Sequence, residues 1–257
     1  LDKLREGHPL VLGNRFKGGI LPGAMPPLHR FLGNPVLSFL GRQLFGLRCG
    51  DFHCGLRGFD TEKMRAVNLS APGMEFASEM LVKAALYRWD VAEVPTTLAP
   101  DGRSRPPHLR SWRDGWRHLR FMLVFSPRWL FLAPGVCLLA LGGLLWALLL
   151  PGPFRLGAID LDVHTLLAGG LFLGLGHLAL VFSYLSKKFA VLHGLHPPHV
   201  GLEKLERHVP AEGWLVSGLL VALGGVALCA LAVVDWSLRD FGPLSPSETL
   251  RLLIPGT

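Results

Sequence analysis

The sequence predicts an α/β domain, present in part, followed by an α-helical transmembrane domain. Three observations carry this. Trp129–Leu150 and Gly213–Val234 are each 22 residues without a charge, and Thr165–Ser186 is similar apart from His177. Crossing a hydrocarbon core of about 30 Å takes about 20 helical residues, so each run is long enough. Charge is uneven: residues 1–128 hold 19 Lys/Arg against 11 Asp/Glu, whereas residues 129–257 hold 7 against 8. The first hundred residues alternate short apolar runs, Gly/Pro-rich loops and segments of helical period, the pattern of an α/β domain. The expected division is residues 1–107 for the α/β part, 108–128 for an amphipathic helix, and 129–257 for spans at about 129–150, 165–186 and 213–234.

Taken in order, PLVL at 9–12 is a buried strand that ends at Gly13-Asn14 and delivers Arg15. GGILPGAMPP is a loop by its glycine and proline density. His29–Phe45 is a helix with apolar residues at 32, 36, 39, 40 and 44. Residues 75–88 form a second helix, acidic at its start and basic at its end as the helix dipole prefers. WDVAEVPTTL at 89–98 alternates like a strand, and PDGRSRPP breaks the chain into a loop. In HLRSWRDGWRHLRFML, Trp112, Trp116, Leu119 and Leu123 share one helical face and Arg110, Arg113, Arg117 and Arg120 another. That describes a helix lying in the membrane interface, the alternative being a helix packed on the domain. Gly170-x3-Gly174 offers a close helix contact in the bilayer. Leu1 falls inside the α/β pattern and the last residues begin a new apolar run, so the chain reads as a piece of a longer protein.

Between Gly102 and Arg128 there are seven arginines and one acid, Asp114, and Lys187, Lys188, Lys204 and Arg207 mark the loop 187–212. The loop 151–163 has only Arg155, with Asp160 and Asp162. By the positive-inside rule residues 1–128 and 187–212 face the cytoplasm, which predicts an integral protein of the cytoplasmic membrane. The polar start LDKLREGHP reads as no signal peptide. A basic part beside a neutral membrane part calls for anionic lipid or phosphorylated ligands and not for nucleic acid. Cys49 and Cys54 fall on the reducing side, and no second Cys/His cluster completes a zinc site with His53, so these cysteines read as packing residues.

Six segments follow one another in order: VLGNRFKGG (11–19), LGN (32–34), DFHCGLRGF (51–59), GMEFASEMLVKA (73–84), VAEVPTTL (91–98) and DGRSR (101–105). Together they resemble the family 2, GT-A-fold glycosyltransferases that act on polyprenyl phosphates. The resemblance covers about residues 1–128 and implies inverting transfer of a sugar from a nucleotide-sugar to an undecaprenyl or dolichyl phosphate at the cytoplasmic face. It makes Asp51 the aspartate of the opening motif, a positioning group or base, although a turn or helix-cap aspartate is the plain alternative. It places Arg15, Arg103, Ser104 and Arg105 near phosphate, where the planar arginine fork binds oxygens in pairs. Arg57 holds phosphate or the fold, and Glu79 accepts sugar hydroxyls or answers the helix dipole. Pro106-Pro107-His108 departs from the commoner pattern, so the loop's geometry is open.

The resemblance also implies Mg²⁺ or Mn²⁺ on an Asp-x-Asp that would precede Leu1. No Asp-x-Asp occurs in residues 1–128, and Asp160-Leu161-Asp162 falls on the outer side. The expectation is a fragment that does not turn over alone, with nucleotide-sugar, polyprenyl phosphate and bilayer as partners and a homo-oligomer left open. The alternative is a non-catalytic scaffold or flippase-associated subunit with a degenerate transferase domain. A transporter is disfavoured, because His177 is the sole ionisable candidate inside the spans.

Overall fold

The computed structural model describes residues 1–102, 111–243 and 245–256. The chain divides into two units, Leu1–Leu130 with Phe189–Pro197, and Phe131–Lys188 with Pro198–Thr257.

The first unit runs α1 (Asp2–Arg5), β1 (Leu10–Asn14), α2 (Arg15–Gly18), a π-helical turn at Leu28–Gly33, α3 (Asn34–Phe45), β2 (Arg57–Phe59), α4 (Thr61–Ala66), α5 (Phe76–Leu86), β3 (Val91–Pro95) and α6 (Ser111–Val124). Its sheet has the order β2-β1-β3. β1 is the centre: every residue of it is buried, it pairs parallel with β3 from Leu10↔Val91 to Asn14↔Pro95, and it pairs antiparallel with β2. A continuous apolar run is what a central strand covered on both faces requires. At its end the Asn14 side chain accepts the Lys17 N–H at 2.9 Å and turns the chain into α2. Gly18 is obligatory there, since a Cβ would stand 2.2 Å from the Thr96 backbone nitrogen.

Leu10, Leu12, Phe52, Leu81, Val82 and Met122 are fully buried and form the core, with one face of the sheet against α3, α5 and α6. α5 is buried along Ser78–Ala84, which puts two charges in the core. Lys83 meets Glu79 at 3.3 Å and donates to the carbonyls of Val67 at 2.7 Å and Asn68 at 2.5 Å. Phe59 sits on the edge strand β2 with its ring exposed.

The second unit holds α7 (Ala133–Leu149), the hairpin β4 (Phe154–Leu156) and β5 (Ile159–Leu161), α8 (Val163–Leu192), α9 (Val200–His208), α10 (Ala211–Leu238) and α11 (Pro246–Gly256). α8 also carries the first residues of the segment 189–197 counted with the first unit. Among the described residues, three continuous helical stretches are long and apolar enough to cross a membrane: Arg128–Leu149, Val163–Leu192 and Glu212–Leu238. The second and third outlast the expected spans because Lys187 and Asp235 end the apolar runs without ending a helix. α7 and α8 touch through small residues. A Cβ on Gly142 would stand 2.7 Å from the Gly169 carbonyl, and one on Gly176 would stand 2.9 Å from that of Gly135. Such approach is how helices gain contact where lipid competes for every apolar surface. The motif singled out in the sequence is not the one used, because Gly174 has open space around it.

Phe52 tests the core of the first unit. A Cβ on Gly41 would lie 2.5 Å from the Phe52 ring. Gly41→Ala is expected to cost about 1–3 kcal/mol through overpacking. Gly41→Ala/Phe52→Leu should regain part of that loss in thermal unfolding of the purified protein, and additive losses would show that the two do not compete for space.

Candidate active site

Parallel strands deliver their C-terminal ends to one edge of a sheet, and ligands of open α/β sheets bind outside that edge. Here the edge is the end of β1 and β3, and the loop 49–54 crosses it. Asp51 in that loop has no exposed surface. Arg15, the first residue after β1, turns its fork onto it: Nε reaches Oδ2 at 2.7 Å, Nη2 reaches Oδ1 at 2.8 Å, and the Arg15 N–H donates to Oδ2 at 3.1 Å. Burial opposes the arginine's charge, but the hydrogen bonds and charge of Asp51 outweigh it and raise its pKa. The sequence placed both residues in the site, and the fold brings them together as one ion pair.

The loop is held from below by Glu93 of β3, which the sequence reading passed over. Its Oε1 accepts the N–H of Gly50 at 2.6 Å and of Asp51 at 3.1 Å. Its Oε2 accepts Asn14 Nδ2 at 3.1 Å and Lys17 Nζ at 3.0 Å. Burial raises the Glu93 pKa, and Lys17, Asn14 and the two amides together bring it below the ordinary carboxylate range. One carboxylate thus fixes the strand end, the helix after it and the acidic loop. The available signal was a lone glutamate inside an apolar strand, which must find donors if it is buried.

Arg57 is turned the other way. Its guanidinium donates to the carbonyls of Cys54 at 2.9 Å, of Phe52 at 3.0 Å and of Ala77, tying the loop to α5. Burial lowers its pKa. Phe52 N–H donates to Ser38 Oγ at 3.1 Å and Arg42 Nη1 to the Cys49 carbonyl at 3.1 Å, which fastens the loop to α3. Cys49 and Cys54 are buried free thiols, and burial together with the Glu93 charge pushes Cys49 up to about 12. His53 packs edge-on against His118 of α6, ring centres 4.8 Å apart, and His118 Nδ1 shares a hydrogen bond with Ser78 Oγ at 2.8 Å. Burial, then His118, Arg57 and Arg15, takes His53 down to about 3.

Glu79 lies elsewhere. Its carboxylate accepts the N–H of Ser70 at 3.0 Å and of Ala71 at 2.8 Å beside the Lys83 ammonium, so in this state it anchors the loop 70–71. Arg103, Ser104 and Arg105 lie outside the described residues. Among the described residues no group of three His, Cys, Asp or Glu side chains could hold a metal ion. Both Asp51 oxygens are taken by arginine. The site as it stands does not fit a divalent cation.

The chain is thus a membrane protein in which a small α/β unit carries a buried Arg–Asp pair at the edge of its sheet. Residues 184–257 match the model of the glycosyltransferase family 2 C-terminal transmembrane region. Over 246 residues the chain is 34% identical to the low-salt glycan biosynthesis hexosyltransferase Agl6 of Haloferax volcanii, an alignment covering 95% of this chain and 58% of that protein. The chain therefore spans little more than half the length of that relative. No solved structure matches it. The chain is thus similar in its C-terminal part to a family 2 glycosyltransferase transmembrane region, and along most of its length to a protein named a hexosyltransferase.

Two outcomes follow for stability. Removing one partner of a buried ion pair strands the other charge, so Arg15→Gln should cost about 3–5 kcal/mol in unfolding. Arg15→Gln/Asp51→Asn, with no charge left to strand, should recover most of it. His53 binds its proton less tightly in the folded chain than its ordinary value near 6.5, so below that pH the unfolded chain takes up the proton first. Stability should fall between about pH 6.5 and 3 at up to about 1.4 kcal/mol per pH unit for this group. In unfolding measured against pH, His53→Gln should lose that part of the slope.

Proposed function

We propose that the full-length protein transfers a sugar from a nucleotide-sugar to a polyprenyl phosphate at the cytoplasmic membrane face, with inversion, through a GT-A-like domain of which residues 1–107 form one part. The observation that carries this is the Arg15–Asp51 pair at the edge of the parallel strands, in a chain 34% identical to a hexosyltransferase. The Mg²⁺ or Mn²⁺ of the resemblance is assigned to carboxylates outside residues 1–257, in the length that the relative has and this chain does not span.

The chemistry suits the groups present. A phosphate monoester has its second pKa near 6 and is largely a dianion at neutral pH. One of its oxygens can attack the anomeric carbon with no proton to remove, as the bond from that carbon to the nucleotide diphosphate breaks and its electron pair leaves with the diphosphate. A general base is unnecessary; cations that hold and orient the phosphates are what the reaction needs. Arg15 offers a planar fork that already matches a pair of oxygens, and Asp51 keeps it aimed. In this reading Asp51 is a positioning residue, with Glu93 fixing the loop that carries it. Arg57 holds the loop, and Arg103, Ser104 and Arg105 are assigned to the acceptor phosphate.

Stability and transfer separate in one set of variants of the full-length protein. Asp51→Asn should cut sugar transfer to polyprenyl phosphate by about 10²-fold or more. Arg15→Gln/Asp51→Asn should regain stability without regaining transfer. Transfer that returns with stability would make the pair a structural element only, and near-wild-type transfer by Asp51→Asn would remove the assigned role.

A further inference from the structure

We propose that the first unit docks on an anionic lipid surface through a face made jointly by Leu28–Phe39 and the tryptophan side of α6. This extends the interfacial helix expected from the sequence to a second segment that the fold places beside it. It rests on the membrane character of the chain and not on the sugar-transfer reading.

Val36 and Phe39 lie exposed on the outer side of α3, while Ser38 and Gly41 of the same helix are buried, and Leu32 in the π-helical turn before it is exposed too. Phe31, in the turn before it, is 74% exposed. α6 shows the same division: Asp114, His118 and Met122 face inward, and Trp112 and Trp116 stay outside, Trp112 at 78%. α3 and α6 pack on one another, and His29 Nε2 and Ser111 Oγ share a hydrogen bond at 2.7 Å. Phe31 and Trp112 each lie within two residues of that bond, so the two apolar segments meet at their beginnings. Apolar patches of this extent on one face mark an interaction surface.

Charge and chain continuity say what covers it. From residue 7 to residue 50 there is no Asp or Glu, against five Lys/Arg. Arg30, Arg113 and Arg120 are exposed beside the aromatic residues, and the Arg30 guanidinium lies 5.5 Å from the Phe31 ring centre. Tryptophan and arginine together are the pair that sits at headgroup depth, rings in the boundary and guanidinium groups toward phosphate. Only residues 125–127 separate α6 from Arg128, where the first membrane-crossing stretch begins. A segment so tethered lies within reach of the headgroups.

The test uses the full-length protein in lipid nanodiscs, with Cys137→Ser and Cys229→Ser and a polarity-sensitive fluorophore on Phe31→Cys, Val36→Cys or, as control, Glu62→Cys on α4. Cys49 and Cys54 are buried and stay unlabelled at neutral pH. In discs of phosphatidylcholine with phosphatidylglycerol, labels at 31 and 36 should emit to the blue of the label at 62 and be quenched several-fold more by acyl-brominated lipid. Arg30→Glu/Arg113→Glu should weaken that quenching. Quenching at 31 and 36 no greater than at 62 would overturn the proposal. So would a blue shift without quenching that grows with the number of protein copies per disc, which would assign the face to a second copy. Equal quenching with and without phosphatidylglycerol would overturn the part that rests on charge.

Discussion

The Glu93 carboxylate is the constraint on which the rest of the site depends. Buried in a parallel strand, it has to collect donors, and the four it collects come from three different places: the end of β1, the first turn after it and the loop 49–54. A charge that could not be solvated would be expelled or neutralised. This one is kept ionised because the chain wraps around it. Asp51 inherits its position from that arrangement, since its own backbone N–H is one of the four donors. Arg15 follows from both, being the residue after the strand that Glu93 helps to close.

The loop carrying Asp51 is fastened on three further sides, to α3 through Ser38 and Arg42, to α5 through Arg57, and to α6 through His53. The first two are hydrogen bonds and the third a ring contact, and none of them touches the Asp51 carboxylate. The loop's place is therefore set independently of what the carboxylate binds. Rigid support beneath an ion pair is the arrangement a positioning site needs. In the second unit the constraint is different: with no water to drive helices together, contact between α7 and α8 is set by where glycine lets backbones approach.

Periodicity made much of this legible. The run PLVL reads as a buried strand, the segments around 75–88 and 89–98 follow helical and strand spacing, and charge-free runs of 22 residues leave few alternatives to a span. Asp51 and Arg15 were found through the resemblance, and their pairing was not, since it joins residues 36 apart across a sheet edge. β2 escaped because three residues, Arg57–Phe59, carry no alternation to read. Glu79 read as an acceptor of sugar hydroxyls or a first-turn acid answering a dipole, but Lys83 at i+4 and the loop 70–71 take it into the core. Glu93 was missed for the same reason: in sequence a glutamate in a strand is as easily a solvent-facing residue as a buried anchor, and only the neighbouring donors decide.

Under the proposed function, the Arg15 fork would serve two acceptors in turn. A carboxylate and a phosphate present the same spacing of oxygens, so a phosphate approaching the sheet edge competes for donors that are already oriented. The exchange would keep the arginine paired but unpair the buried Asp51 carboxylate, a cost that the bound phosphate has to outweigh. Asp51 does not follow the arginine away, because Glu93 holds its backbone. It stays beside the new ion pair as a fixed negative charge. A dianionic acceptor bound next to such a charge would be held by the fork and repelled by the carboxylate. On this account the residue most sensitive to exact placement is neither member of the pair but the glutamate beneath them.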